Sequence, residues 1–145
     1  MDLQTDVILL VDDNPDDVYL TTRAFRQNNI TNEIIVANDG VQALELLLPD
    51  DDRPPLRPSI VLLDIHMPRM DGLEVLARLR ADAFTRTLPV IVLTTSDEDR
   101  DIAESYSQGA NSYVQKPVHT DEFLEAARML GVYWLGLNKQ VRRHS

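Results

Sequence analysis

Five short apolar runs punctuate the chain: Val7-Ile8-Leu9-Leu10-Val11, Ile34-Ile35-Val36, Ile60-Val61-Leu62-Leu63, Val90-Ile91-Val92-Leu93 and Tyr113-Val114. The longer runs do not alternate with polar residues, the mark of strands covered on both faces. Between them, apolar residues recur at helical spacing. Val18, Thr22 and Phe25 predict a first helix, opened by Asn14-Pro15 and closed by Asn28-Asn29. Val41, Leu44 and Leu48 predict a second, after the turn chemistry of Asn38-Asp39-Gly40. Leu73, Leu76 and Leu79 predict a third, entered through Asp71-Gly72. Ser96-Asp97-Glu98-Asp99 places acids at the positive end of a fourth, which Gly109 stops. A final helix begins near Thr120 and runs beyond Leu130.

Strands alternating with helices imply a parallel sheet covered on both faces. Right-handed crossovers leave few topologies, and we expect an α/β doubly wound (βα)5, flavodoxin-like sheet of order 2-1-3-4-5. The stretch from Pro49 to Pro58 holds four of the eight prolines and reads as the least constrained loop.

The chemistry sits where the runs end. Asp12-Asp13 follows the first, Asp64 the third, Thr94 the fourth, and Lys116 the fifth. Ligands of open α/β sheets bind outside the carboxyl ends of the strands, and strands 1 and 3 meet at the switch point of this topology. Three carboxylates and one ammonium gathered there suit a divalent cation and a phosphoryl group.

Composition narrows the partners. The chain has 145 residues, one domain's worth, and a formal net charge of -10, which disfavours nonspecific binding to nucleic acid or to anionic membrane. It has no Cys, excluding disulfides, thiolate metal sites and a Cys nucleophile. The acidic opening Met1-Asp2-Leu3-Gln4-Thr5-Asp6 is unlike a signal peptide, and no apolar run approaches the ~20 residues that span a bilayer. A cytoplasmic location is the expectation.

The segments Val11-Asp12-Asp13-Asn14-Pro15, Leu63-Asp64-Ile65-His66-Met67-Pro68, Met70-Asp71-Gly72, Leu93-Thr94 and Tyr113-Val114-Gln115-Lys116-Pro117 resemble the receiver domain of two-component response regulators. The likeness covers about residues 6 to 130 of one domain spanning the chain, with a helical extension over 131–145. That family shares the 2-1-3-4-5 sheet, so resemblance and topology are not independent. The resemblance implies that Asp64 accepts a phosphoryl group from a phosphohistidine on a sensor histidine kinase. It implies Mg²⁺ held by Asp13, Asp64 and the backbone carbonyl of His66, with Asp12 acting directly or through water. Lys116 and Thr94 would hold phosphoryl oxygens, and Thr94 and Tyr113 would form the switch. The His66 side chain is expected at the rim, and His119 and His144 at the surface.

After Leu130 the chain continues Gly131-Val132-Tyr133-Trp134-Leu135-Gly136-Leu137, more apolar than one buried helix face requires. This segment either folds back on the domain or forms a homodimer interface or kinase-docking patch through Tyr133, Trp134 and Leu137. With the Pro-rich loop it resembles the single-domain regulators that serve phytochrome-type histidine kinases. No DNA-binding domain is expected after the final helix. Two rivals rank lower. An enzyme of the haloacid-dehalogenase type would need Asp-x-Asp-x-Thr where the chain reads Asp12-Asp13-Asn14-Pro15. A docking module without phosphorylation would have no use for the full acidic set and Lys116.

Overall fold

The computed structural model describes residues 7–94, 99–116, 121–123 and 125. Its element order is β1 (Ile8–Val11), α1 (Pro15–Gln27), β2 (Ile34–Ala37), α2 (Gly40–Leu47), β3 (Ile60–Asp64), α3 (Gly72–Ala81), β4 (Val90–Thr94), α4 (Asp99–Ser107) and β5 (Ser112–Gln115). The strands form one parallel sheet in the order β2-β1-β3-β4-β5, the expected doubly wound topology. Residues 121–123 and 125 are helical, at the place expected for the final helix.

The unbroken apolar runs are explained by two cores, one on each face. Leu9 and Val11 of β1, with Val61 and Leu63 of β3, join Ala43, Leu44 and Leu47 of α2 and Val75, Leu76 and Leu79 of α3. The alternate residues Ile8, Leu10, Ile60 and Leu62 join Phe25 of α1 and Phe123 on the opposite face. The Phe25 and Phe123 rings lie 4.5 Å apart between centroids, tilted by 34°.

Helix ends are set by local chemistry. The Asn14 side chain accepts from the backbone N–H of Asp16 and Asp17, capping α1, and Pro15 takes the first-turn place its missing N–H suits. At the other end Asn29 takes a left-handed conformation, φ 65°. Ile30 N–H then reaches the Phe25 carbonyl and Asn29 N–H the Arg26 carbonyl, a Schellman closure. Gly109, φ 102°, closes α4 the same way, through Gly109 N–H to Tyr106 and Ala110 N–H to Ser105. The start of α4 expected at Ser96–Glu98 lies outside the described residues.

Two expectations change in detail. In α2 the buried face is Ala43, Leu44 and Leu47; Val41 is 39% exposed and Leu48 is the C-cap. The stripe is rotated because α2 packs against α3 as well as the sheet. The Pro-rich loop is tied back to α2 at two points within its run. Arg53 donates to the Glu45 carbonyl, and Leu56 N–H donates to the Leu46 carbonyl at 2.7 Å.

At the amino ends of β4 and β5, Arg80 of α3 acts as a clamp. Its guanidinium donates to the carbonyls of Gly109 (2.9 Å), Arg86 (3.1 Å) and Leu88 (2.7 Å) and to the Asn111 side chain (2.8 Å). Burial pulls its pKa down from the ordinary value, and the carbonyl dipoles satisfy its donors instead of a carboxylate.

Gly72 fixes the other end. A Cβ there would lie 2.2 Å from the Asp64 carbonyl oxygen, so α3 starts in backbone contact with the end of β3. Helix propensity alone favours Gly72→Ala by up to about 1 kcal/mol; the clash opposes it by about 1–3 kcal/mol. We expect net destabilisation in urea unfolding, together with weaker metal binding as the Asp64 backbone shifts. A neutral or stabilised variant would show that the β3 end yields freely.

Candidate functional site

β1 and β3 are neighbours, with Val11 paired to Leu63. The chain leaves β1 at Asp12 and β3 at Asp64, so both carboxylates arrive at the same edge. Carboxylate oxygens of Asp12, Asp13 and Asp64 lie within 4.8 Å of one another. Lys116, one residue past the end of β5, reaches the cluster from the far side. Its Nζ is 2.7 Å from Asp12 Oδ2, 3.0 Å from Asp17 Oδ2 and 3.6 Å from Asp64 Oδ2. The structure therefore brings together Asp12, Asp13, Asp64 and Lys116, as their sequence positions predict.

The groups differ in exposure. Asp12 is buried, and both its oxygens are engaged: Oδ1 accepts from Asn14 N–H at 3.0 Å and Oδ2 from Lys116. Asp13 is exposed. A cleft of about 280 Å³ opens above the cluster, lined by Asp13, Asn14, Asp17, Asp64, His66 and Lys116. His66 is exposed at its edge, matching the rim position expected for its side chain, and its backbone hydrogen-bonds the Asp64 carboxylate.

Burial is the main cause that pushes the Asp64 carboxyl up, to about 6 from an ordinary 3.8; Lys116 opposes it, while Asp12 and Asp13 add to it. Burial pushes Lys116 down, but hydrogen bonds to Asp12 and Asp17 and the charge of Asp64 prevail, so its pKa rises. An all-oxygen set of crowded carboxylates is the donor set of a hard divalent cation. The residues present fit such an ion.

Thr94 ends β4, its backbone in register with Gln115; its side chain lies outside the described residues. Tyr113 is half-buried and packs against the core that α2 and α3 cover. Tyr133, Trp134 and Leu137 lie outside the described residues, as do His119 and His144. Asp17 was not foreseen. The only signal was an acid in the first turn of α1, which reads as a complement to the helix dipole.

A model of the response regulator receiver domain matches residues 8–128. The chain belongs to this family. It is 38% identical over 133 residues to the "Probable methanogenesis regulatory protein FilR2" of Methanothrix harundinacea, covering 92% of this chain and 86% of that one. Among solved structures, the bacteriophytochrome response regulator AtBRR is 42% identical with TM-score 0.79, covering 89% of this chain and 94% of that one. The Mn²⁺-bound form of response regulator Rcp1, a Synechocystis protein, is 32% identical with TM-score 0.71, covering 90% and 95%. The protein is thus a two-component receiver, a signalling protein of a family that takes phosphate from histidine kinases. Among the described residues no helix is long and apolar enough to cross a membrane.

The raised Asp64 value fixes the sign of a pH effect. The folded carboxyl binds its proton more tightly than the unfolded one. Ionising it therefore costs stability above pH 6, by about 3 kcal/mol at most. That cost fades as pH falls from about 6 toward 3.8. Asp64→Asn removes it. In metal-free buffer at pH 7 the variant should be more stable than the parent, by roughly 1–3 kcal/mol, and the gap should close near pH 4. A pH-independent gap in denaturant titrations would assign the effect to packing.

Proposed function

We propose that this chain is a stand-alone, Mg²⁺-dependent phosphoacceptor that takes a phosphoryl group from a phosphohistidine onto Asp64. The observation that carries this is the convergence of Asp64 with Asp12, Asp13 and the Lys116 ammonium at one cleft. At neutral pH Asp64 is mostly ionised and can act as the nucleophile. The P–N bond of the donor breaks, an Asp64 Oδ–P bond forms, and the imidazole leaves with its electron pair. Asp13 and Asp64, with the His66 backbone carbonyl, would hold the cation, and Asp12 would act through water, since both its oxygens already have partners. A divalent cation held there offsets the repulsion between carboxylate and phosphoryl oxygens.

Lys116 would take one phosphoryl oxygen and the Thr94 hydroxyl another, so the chain's contribution is positioning and charge. A water attacking phosphorus in line would return the carboxylate and release inorganic phosphate, so the chain catalyses both its own phosphorylation and its dephosphorylation. Movement of Thr94 toward the phosphoryl group would let Tyr113 turn inward and repack the face of α4 and β5, biasing two pre-existing states.

The kinase we propose is of the phytochrome type, supported by the 42% identity to AtBRR. Output would run through protein contacts or a phosphorelay in the cytoplasm, from a single receiver domain over 1–145 that pairs as a homodimer through Tyr133, Trp134 and Leu137. Nucleic acid and membrane are not its partners.

Incubation with acetyl phosphate and Mg²⁺, read by intact mass spectrometry, should give a single phosphoryl adduct. Asp64→Asn and chelation of Mg²⁺ should each abolish it. An adduct that survives Asp64→Asn would move the nucleophile elsewhere. Light scattering at matched concentration should show a dimer in the parent and a lower mass for Trp134→Ala; equal masses would remove that segment from the interface.

A further inference from the structure

We propose that Asp17 is a positioning residue that competes with the phosphoryl group for Lys116, and so sets how readily the site is occupied. The inference rests on the phosphoacceptor reading of Asp64.

An ammonium has three donors. Lys116 directs them at three carboxylates: Asp12 at 2.7 Å, Asp17 at 3.0 Å and, more loosely, Asp64 at 3.6 Å. A phosphoryl oxygen on Asp64 would take the third, loosely engaged donor and draw the ammonium toward itself, so the two short contacts compete with it. The Asp12 side chain is fully buried and fastened through its other oxygen to Asn14 N–H. Stripping its counter-charge would leave a buried carboxylate unpaired, which is strongly unfavourable. Asp17 differs. Its side chain is 32% exposed and lines the cleft, so water can take over when Lys116 leaves. Asp17 is therefore the partner that is exchanged.

Local structure explains why Asp17 is in place. Asn14 Oδ1 accepts from Asp16 N–H at 2.9 Å and Asp17 N–H at 3.2 Å, which fixes the first turn of α1 against the end of β1. The turn carries two acids, but Asp17 reaches Lys116 and Asp16 is exposed. Asp16 is thus an internal control of equal charge in the same turn.

The test uses the full chain with Mg²⁺ and compares the parent, Asp17→Asn, Asp17→Glu and Asp16→Asn. Two quantities are read: affinity for beryllofluoride, a phosphoryl mimic, by calorimetry, and the initial rate of Asp64 phosphorylation by acetyl phosphate. In the latter the acyl O–P bond breaks, the Asp64 Oδ–P bond forms and acetate leaves. Asp17→Asn should bind beryllofluoride about fivefold tighter, the scale of a partly exposed ion pair, and phosphorylate faster in proportion. Asp17→Glu and Asp16→Asn should stay near the parent. Mn²⁺ affinity, read by electron paramagnetic resonance without any phosphoryl donor, should be alike in all four, because Asp17 acts on Lys116. Equal gains in Asp17→Asn and Asp16→Asn would reduce the effect to net charge and overturn the proposal, as would weaker beryllofluoride binding in Asp17→Asn. A parent that takes neither beryllofluoride nor phosphoryl would instead defeat the phosphoacceptor reading itself.

Discussion

Like charges held close together at the carboxyl edge of an apolar sheet are the constraint on which the rest of this structure depends. Asp12, Asp13 and Asp64 cannot separate, because β1 and β3 are hydrogen-bonded neighbours and the carboxylates follow directly from their ends. Lys116 compensates only part of that charge, since its short contacts go to Asp12 and Asp17 and its distance to Asp64 is longer. The remainder stays as repulsion, visible in the raised Asp64 pKa. The fold tolerates this because the strands beneath are fully buried on both faces: Ile8, Leu9, Leu10 and Val11 have no exposed surface, nor do Ile60 to Leu63. An unstable upper edge rests on a very apolar base, and in the proposed function a cation with a phosphoryl group would relieve what the protein leaves uncompensated.

The two-sided core also separates tasks. The face with Phe25 and Phe123 carries α1, which supplies Asp17 to the cleft. The opposite face carries α2 and α3 and, at its margin, the half-buried Tyr113. Lys116 stands three residues beyond Tyr113, immediately after the end of β5. In the proposed switch, a change in what Lys116 holds would reach the strand that also presents Tyr113 to the second core. Arg69 adds a constraint from the β3–α3 loop: it takes a left-handed conformation, φ 69°, and its guanidinium pairs with Asp39, the N-cap of α2.

Much of this was legible in the sequence, for a physical reason. A strand covered on both faces must be apolar at every position, so β1, β3 and β4 show as unbroken runs. A site built at strand ends places its residues immediately after those runs, which is why Asp12, Asp13, Asp64 and Lys116 stood out. What stayed hidden acts through distance in space. Asp17 looks like an ordinary acid in a first helical turn; only its approach to a lysine 99 positions away gives it a role. Gly72 looks like part of a turn, and nothing in Asp71-Gly72 shows that the carbonyl of Asp64 lies where a Cβ would stand. In α2 Leu44 is buried as its spacing predicts, but Ala43 and Leu47 complete the buried face in place of Val41 and Leu48, because a helix that touches both a sheet and a second helix buries a face that periodicity alone cannot orient.

Arg80 stands at the opposite end of the sheet from the charged cleft. Its hydrogen bonds fasten the loop before β4 and the loop before β5 to the end of α3. Asn111 reinforces the joint, accepting from Val90 N–H and donating back to the Val90 carbonyl. One end of the β4–α4–β5 unit is pinned while the other carries Thr94 and Lys116. A body pinned at one end answers a push at the other by pivoting. If phosphorylation of Asp64 shifts Thr94 and Lys116, as proposed, the guanidinium would be the fulcrum, and the outer surface would receive the adjustment as a change of tilt with a lever arm of one four- or five-residue strand.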